Sequence, residues 1–267
     1  NGNAHKVAMP DGYWMGQYPI TQAQFQEFLQ SDDFGEDRFW GVPGATKWRD
    51  ELREGAVQQD NLPVVSINWY QALAYAQWAT EQCRDHLPPG WALTLPSEAE
   101  WEKAARGGLQ VPEPGTHIIH RVDEVLVSAP AVQLHDQPPT DAKRRYPWGD
   151  DPDPDRANFD ETKVGSSSAV GCFPGGVSVY GCQDMSGNVW EWTRSERLPY
   201  PYPDPGSKRD RLEDFTGGDA RHRVLRGGAF DYDRRIARCA YRDHFYPNYR
   251  DSVIGFRLVA SPFHSGR

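Results

Sequence analysis

Asp184-Met185-Ser186-Gly187-Asn188-Val189-Trp190-Glu191-Trp192 sets a turn against a strand within a few residues. The Ser-Gly-Asn turn chemistry breaks the chain, and the β-branched and aromatic residues after it predict a short strand over Val189 to Thr193. Two more short strands are expected downstream, at Val224 to Phe230 and Gly255 to Val259. From Tyr146 onward Gly, Pro, Asn and Asp dominate, so the backbone between these strands is irregular and needs support from outside the ladders.

Upstream of Tyr146 three helices announce themselves. Thr21-Gln22-Ala23-Gln24 reads as a capping box with Phe25, Phe28 and Leu29 at helical spacing behind it, predicting a helix to about Gln30. Asn68 caps a second, with Gln71 three residues later. Its Ala72, Leu73, Ala76 and Ala79 make a narrow stripe that lets a neighbour approach closely, to about Gln82. Ser97 and Glu100 box a third, which buries Trp101, Ala104 and Ala105 and stops at Gly107-Gly108. Residues 109–145, with runs such as His117-Ile118-Ile119-His120 and Val125-Leu126-Val127, read as an insertion. No repeat or low-complexity linker divides the chain, so residues 1–267 are expected to form one domain.

With 38% hydrophobic and 25% charged residues, the 267-residue chain belongs to the globular class. A net charge of -9 argues against a nucleic-acid partner, which calls for a basic face. No run approaches the roughly 20 apolar residues of a spanning helix, so membrane insertion is not expected. Asn1 to Lys6 lack signal-peptide character, which points to the cytoplasm; a start at Asn1 also fits a piece of a longer chain. Cys172 and Cys182 are placed to bridge a loop, but with Cys83 and Cys239 they are expected as buried free thiols.

Seven segments, in order, carry a family resemblance: Tyr18-Pro19-Ile20-Thr21, Leu62 to Trp69, Leu95 to Glu102, Tyr146-Pro147-Trp148-Gly149, Asp184 to Trp192, Arg226-Gly227-Gly228 and Gly255-Phe256-Arg257. The chain resembles the formylglycine-generating enzyme (sulfatase-modifying factor) family across nearly its whole length. The resemblance implies an α+β, C-type-lectin-like fold of the formylglycine-generating enzyme subtype: little regular secondary structure, a small antiparallel sheet and flanking helices. It implies structural calcium, held at one site by Asp184 and Glu191 side chains with Gly187 and Val189 carbonyls, and at a second by Asn158 and the Phe159 carbonyl. Hard oxygen ligands suit that ion; the other reading of Asp184 and Glu191 is that they bond loop amides. The family's oxidase chemistry uses two copper-binding cysteines between the Gly-Gly and the Arg-Cys-Ala. Here that interval, Ala229 to Ala237, holds none, so copper is not expected and no catalytic residue is assigned.

From Val224 to Arg267 the chain has no Lys, Glu, Gln, Met or Trp. Within it a frame of Arg226-Gly227-Gly228, Arg238-Cys239-Ala240, Arg242, Pro247, Arg250 and Ile254 to Arg257 alternates with Asp231, Tyr232, Asp233, Tyr241, Asp243, His244, Phe245, Tyr246, Asn248, Tyr249, Asp251, Ser252 and Val253. Each residue of the second set is reached from an asparagine codon by changing its adenines. That pattern is similar to the variable proteins of diversity-generating retroelements, which implies a diversified ligand-binding surface at these thirteen positions. Tyr suits such a surface, offering amphipathic area at low entropic cost; the competing reading makes several of these aromatics core. The frame arginines are expected as buried forks on carboxylates and carbonyls, with an anion-binding groove as the alternative.

His117 and His120 lack a third ligand, Ser166-Ser167-Ser168 reads as a turn, and Gly175-Gly176 lacks phosphate-loop spacing. The expected function is therefore a non-enzymatic binding protein with a protein or other macromolecular ligand. The alternative is a formylglycine-generating-like oxidase or another protein-modifying enzyme.

Overall fold

The computed structural model describes residues 12–52, 60–112, 134–136, 144–202, 210–216 and 218–262. All three predicted helices form with their capping boxes closed: α1 (Gln22–Gln30) behind Thr21, α3 (Trp69–Gln82) behind Asn68 and α4 (Glu98–Arg106) behind Ser97. Each box satisfies two amide donors that a helix start leaves open. A further short helix, α2 (Thr46–Arg49), lies between the first two.

Around α3 the core closes on aromatic rings. Phe25 and Phe28 of α1, Tyr75 and Trp78 of α3 and Phe256 meet at centroid distances of 5.4–6.1 Å. The small stripe, with Ala72 and Ala76 fully buried, gives this cluster room to approach the helix.

Two sheets surround that core. Strands β1 (Trp14–Met15) and β2 (Ala92–Thr94) flank β9 (Val259–Ser261), all antiparallel, so the start and end of the described chain share one sheet. The larger sheet runs β7 (Asp243–Phe245), β6 (Arg223–Arg226), β5 (Trp190–Glu196), β8 (Ile254–Phe256). Its β5–β8 pair is parallel, unlike the antiparallel sheet the resemblance implies, and β5 has a register shift between Trp192 and Glu196. The expected strand over Gly255 to Val259 is two strands, one in each sheet, broken at Arg257-Leu258. The strand expected to reach Phe230 ends at Arg226, because Gly227 and Gly228 take φ of 98° and 77° and turn the chain.

The ends of the expected insertion pair with each other as β3 (Gln110–Pro112) and β4 (Leu134–Asp136). His117, His120 and Val125 to Val127 lie outside the described residues. All four cysteines are free; Cys182 and Cys239 are buried as expected, whereas Cys83 is half-buried and Cys172 exposed on its loop. Among the described residues no helix is long and apolar enough to cross a membrane.

Candidate ligand-binding surface

The C-terminal loops are fastened by buried charge. Glu191 on β5 accepts from Arg257 Nε and Nη2 at 2.6 and 2.7 Å and from Trp101 Nε1 at 2.7 Å. The remaining donors of Arg257 reach the carbonyls of Gly16, Gln17 and Gln183, and both side chains of the pair are fully buried. Burial alone would lower the Arg257 guanidinium; Glu191 against it reverses the shift and holds the group charged. Glu98 is a second buried hub, taking Arg226, Arg242 and the Tyr202 hydroxyl. Three of the frame arginines are thus forks, as expected. Arg238 and Arg250 are not: among the described residues Arg238 bonds only the Arg235 carbonyl, and Arg250 pairs at the surface with Glu51, because their loops run outside both sheets.

Glycines let these loops approach closely. A Cβ on Gly255 would stand 2.4 Å from the Val64 carbonyl oxygen, and one on Gly187, whose φ is 77°, only 2.1 Å from that of Asn158. Ser186 Oγ donates to the Ala237 carbonyl, tying the Asp184 turn to the loop after Gly228.

Between the fastened points, twelve of the thirteen expected display residues are exposed or half-buried. Val253 is the exception. It is 6% exposed and packs in the main core, since its position leads directly into β8 and its carbonyl accepts from Trp190 N. Apolar identity at that position reflects core packing, and it leaves the surface set.

Two of the display rings pack on the buried Trp190. Its ring meets Tyr232 at 5.5 Å and Tyr241 at 6.0 Å. Phe245 and Tyr249 stack at 4.3 Å, and the Tyr249 hydroxyl donates to Asp251 at 2.9 Å. Burial raises the Tyr232 hydroxyl, and Asp231, Asp243 and Asp251 add to the rise, so three carboxylates lie within electrostatic reach of one exposed ring. At the other end Tyr246 packs on His222 at 4.1 Å, with His244 at 5.0 Å from the same imidazole. Burial lowers His244, with Arg197 and His222 adding to the effect. Asp233 stands apart from this cluster, paired with Arg235 at 2.7 Å. Trp190 and His222 are not among the expected surface residues, because both precede the compositionally biased tail; Trp190 is marked in the sequence as part of the expected strand.

The residues matched to calcium divide. Asp184 is largely buried and accepts from Gly171 N at 2.7 Å; burial pushes it up to about 6, against the Gly171 amide and Arg257. Glu191 has both oxygens engaged by Arg257 and Trp101. Asn158 Oδ1, in contrast, is buried and accepts no hydrogen bond, while its amide donates to Ser166 O and Ser168 Oγ. Among the described residues no three His, Cys, Asp or Glu side chains are grouped to hold a metal ion. The Cys182 and Cys239 thiols lie in one apolar cluster with Trp101 and Met185, and burial raises both, Cys239 to about 12.

The model of the sulfatase-modifying factor enzyme 1-like domain matches residues 1–262. The chain belongs to that family. Among curated members, hercynine oxygenase of Mycobacterium tuberculosis is 29% identical over 274 residues, covering 96% of this chain and 54% of that protein, so the chain spans about half the length of this relative. Two solved structures share the fold: Treponema denticola variable protein 1, with TM-score 0.55 and 20% identity over 92% of this chain and 84% of that one, and PvdO from Pseudomonas aeruginosa, with TM-score 0.65 and 20% identity over 97% and 84%.

Proposed function

We propose that this family member is a non-enzymatic binding protein whose C-terminal loops form a diversified recognition surface, in the manner of a retroelement variable protein. The observation that carries the reading is the alternation along the tail: Arg226, Cys239, Pro247 and Ile254 to Arg257 are buried, and twelve of the thirteen display positions interspersed among them are solvent-accessible. A frame fixed by buried ion pairs leaves those accessible side chains free to change. The fold shared with Treponema denticola variable protein 1 supports the reading. So does the thiol chemistry: the interval from Ala229 to Ala237 has no cysteine, and a thiol raised by burial is a poor ligand and nucleophile.

The surface is aromatic and acidic, with Tyr232, Tyr241, Phe245 and Tyr249 beside Asp231, Asp243 and Asp251. The ligand is accordingly a protein surface rich in Lys or Arg, held by carboxylates and ring faces together. Calcium belongs at the Asn158 and Phe159 loop, where a buried amide oxygen lacks a donor. With few charged ligands it binds there weakly, with Kd in the range of about 10⁻⁴ to 10⁻³ M. The Asp184 turn is fastened by the Glu191–Arg257 pair, with Gly187 and Val189 serving as backbone.

The oxidase alternative draws on the likeness to formylglycine-generating enzyme of Mus musculus, 24% identical over 94% of this chain. One experiment separates the two. The chain is displayed with the twelve accessible positions varied among asparagine-codon derivatives, selected against basic and acidic protein targets, and assayed for copper-dependent oxidation of a cysteine peptide. Specific binders to basic targets without turnover support recognition; turnover above a copper-only control reverses it.

A further inference from the structure

Although the chain carries a net charge of -9, four arginines converge on one open pocket outside the aromatic cluster. Arg145, Tyr146, Pro152, Arg234, Arg235 and Arg238 line it, with a volume of about 390 Å³. The backbone beneath is tied in place. Cys239 N donates to the Arg145 carbonyl at 2.7 Å, the Tyr146 hydroxyl to the Arg234 carbonyl at 2.8 Å, and Arg238 Nε to the Arg235 carbonyl at 2.7 Å. Tyr146 is itself buried and stacked on Trp148 at 5.3 Å, which fixes the pocket wall.

The charges do not balance. Arg235 is paired with Asp233 at 2.7 Å, and Arg234 lies 3.7 Å from Glu161. The Arg145 and Arg238 guanidinium groups form no ion pair with a carboxylate among the described residues, the nearby Asp150 carboxylate accepting instead from the Arg145 backbone N–H at 3.1 Å. At the Tyr146 hydroxyl burial raises the pKa while Arg238, Arg234 and Arg145 all oppose it, so the three cations act on the same small volume. Uncompensated like charges around one concavity repel, and an anion bound between them removes that cost.

We propose that this pocket binds a dianionic phosphate monoester group. Two of the four guanidinium charges are answered by carboxylates and two are left, which matches a phosphate monoester above its second pKa of about 6. Planar guanidinium forks donate in pairs to the oxygens of such a group, a geometry a point cation does not supply. A free phosphate ion and a phosphate ester on a larger molecule share this chemistry.

The test is calorimetric titration of the whole chain at low ionic strength with inorganic phosphate, phenyl phosphate and the monoanion dimethyl phosphate. Both dianions are expected to bind saturably, dimethyl phosphate at least about tenfold more weakly, and affinity to fall as pH drops through about 6. Arg145→Gln with Arg238→Gln weakens dianion binding by about tenfold or more without moving the unfolding midpoint, and each single variant weakens it in part, whereas Arg84→Gln, a single charge loss outside the pocket, leaves it unchanged. Tighter binding of phenyl phosphate assigns the site to an ester, and equal or weaker binding assigns it to the free ion. The proposal fails if neither dianion binds saturably, if the affinity is flat with pH, or if the double variant binds as the parent does.

Discussion

Glu191→Gln removes a charge from the centre of the frame while keeping the shape of the side chain. In the parent, Arg257 is fully buried and its only carboxylate partner among the described residues is Glu191. The variant therefore leaves a guanidinium ion in a dry interior, facing an amide whose NH2, in either orientation, meets an Arg257 donor. Breaking one half of such a pair costs about 3–5 kcal/mol. For a domain of this size each kcal/mol lowers Tm by roughly 2–4 °C, so a fall of about 6–20 °C is expected. Arg257→Met alone is also severe, since it strips donors from the Gly16, Gln17 and Gln183 carbonyls. In the double variant the charge penalty is absent, so its loss falls short of the sum of the singles by about 2 kcal/mol or more. Urea unfolding at neutral pH, with calcium and with chelator, measures the cycle. Additive losses, or a Glu191→Gln variant within about 0.5 kcal/mol of the parent, would refute the ion pair as the fastening. Rescue of the parent but not the variant by calcium would make Glu191 a metal ligand instead.

Gly187→Ala should cost at least about 3 kcal/mol in urea unfolding, combining a left-handed φ with a Cβ driven into the Asn158 carbonyl. Tyr249→Ala removes an exposed stacked ring and should cost only about 1 kcal/mol, with the circular dichroism spectrum unchanged. His244 should titrate below 6.5 by NMR, and Arg197→Gln should raise its midpoint. Because its folded pKa is depressed, the unfolded chain takes up the proton first, so stability present above about 6.5 declines as pH falls through that value toward the folded midpoint. Asn158→Ala should abolish any rise in Tm produced by millimolar calcium, while Asp184→Asn retains it.

The helices could be read from the sequence because their starts are local: Thr21, Asn68 and Ser97 each find their box partner three residues on, and the chain needs nothing else to stop and turn there. The strands were harder. Val189 to Thr193 carried its own pattern, but β1, β2 and β7 are two or three residues long and exist only through partners distant in sequence, such as Trp14 beside Ala260. The fork at Arg257 is legible, but the strand break there is not, because it depends on Glu191 and the Gly16, Gln17 and Gln183 carbonyls, partners distant in sequence. Similarly, a codon pattern marks what a position can become without saying where it points. It therefore swept in Val253, whose position just before β8 buries it, and missed Trp190, on which Tyr232 and Tyr241 pack. The arginine pocket joins two loops that are far apart in the chain, and only the fold brings Tyr146 against Arg234, 88 residues on.

A protease-resistance screen of single-site saturation variants from Val224 to Ser261 reads out whether a fastened frame carries replaceable side chains. At the twelve accessible positions most substitutions should remain as protease-resistant as the parent, whereas Arg226, Cys239, Gly255, Arg257 and the buried Val253 should tolerate almost none. Equal sensitivity of the two sets, or greater sensitivity at Tyr232, Tyr246 and Tyr249 than at the frame, would contradict such a frame.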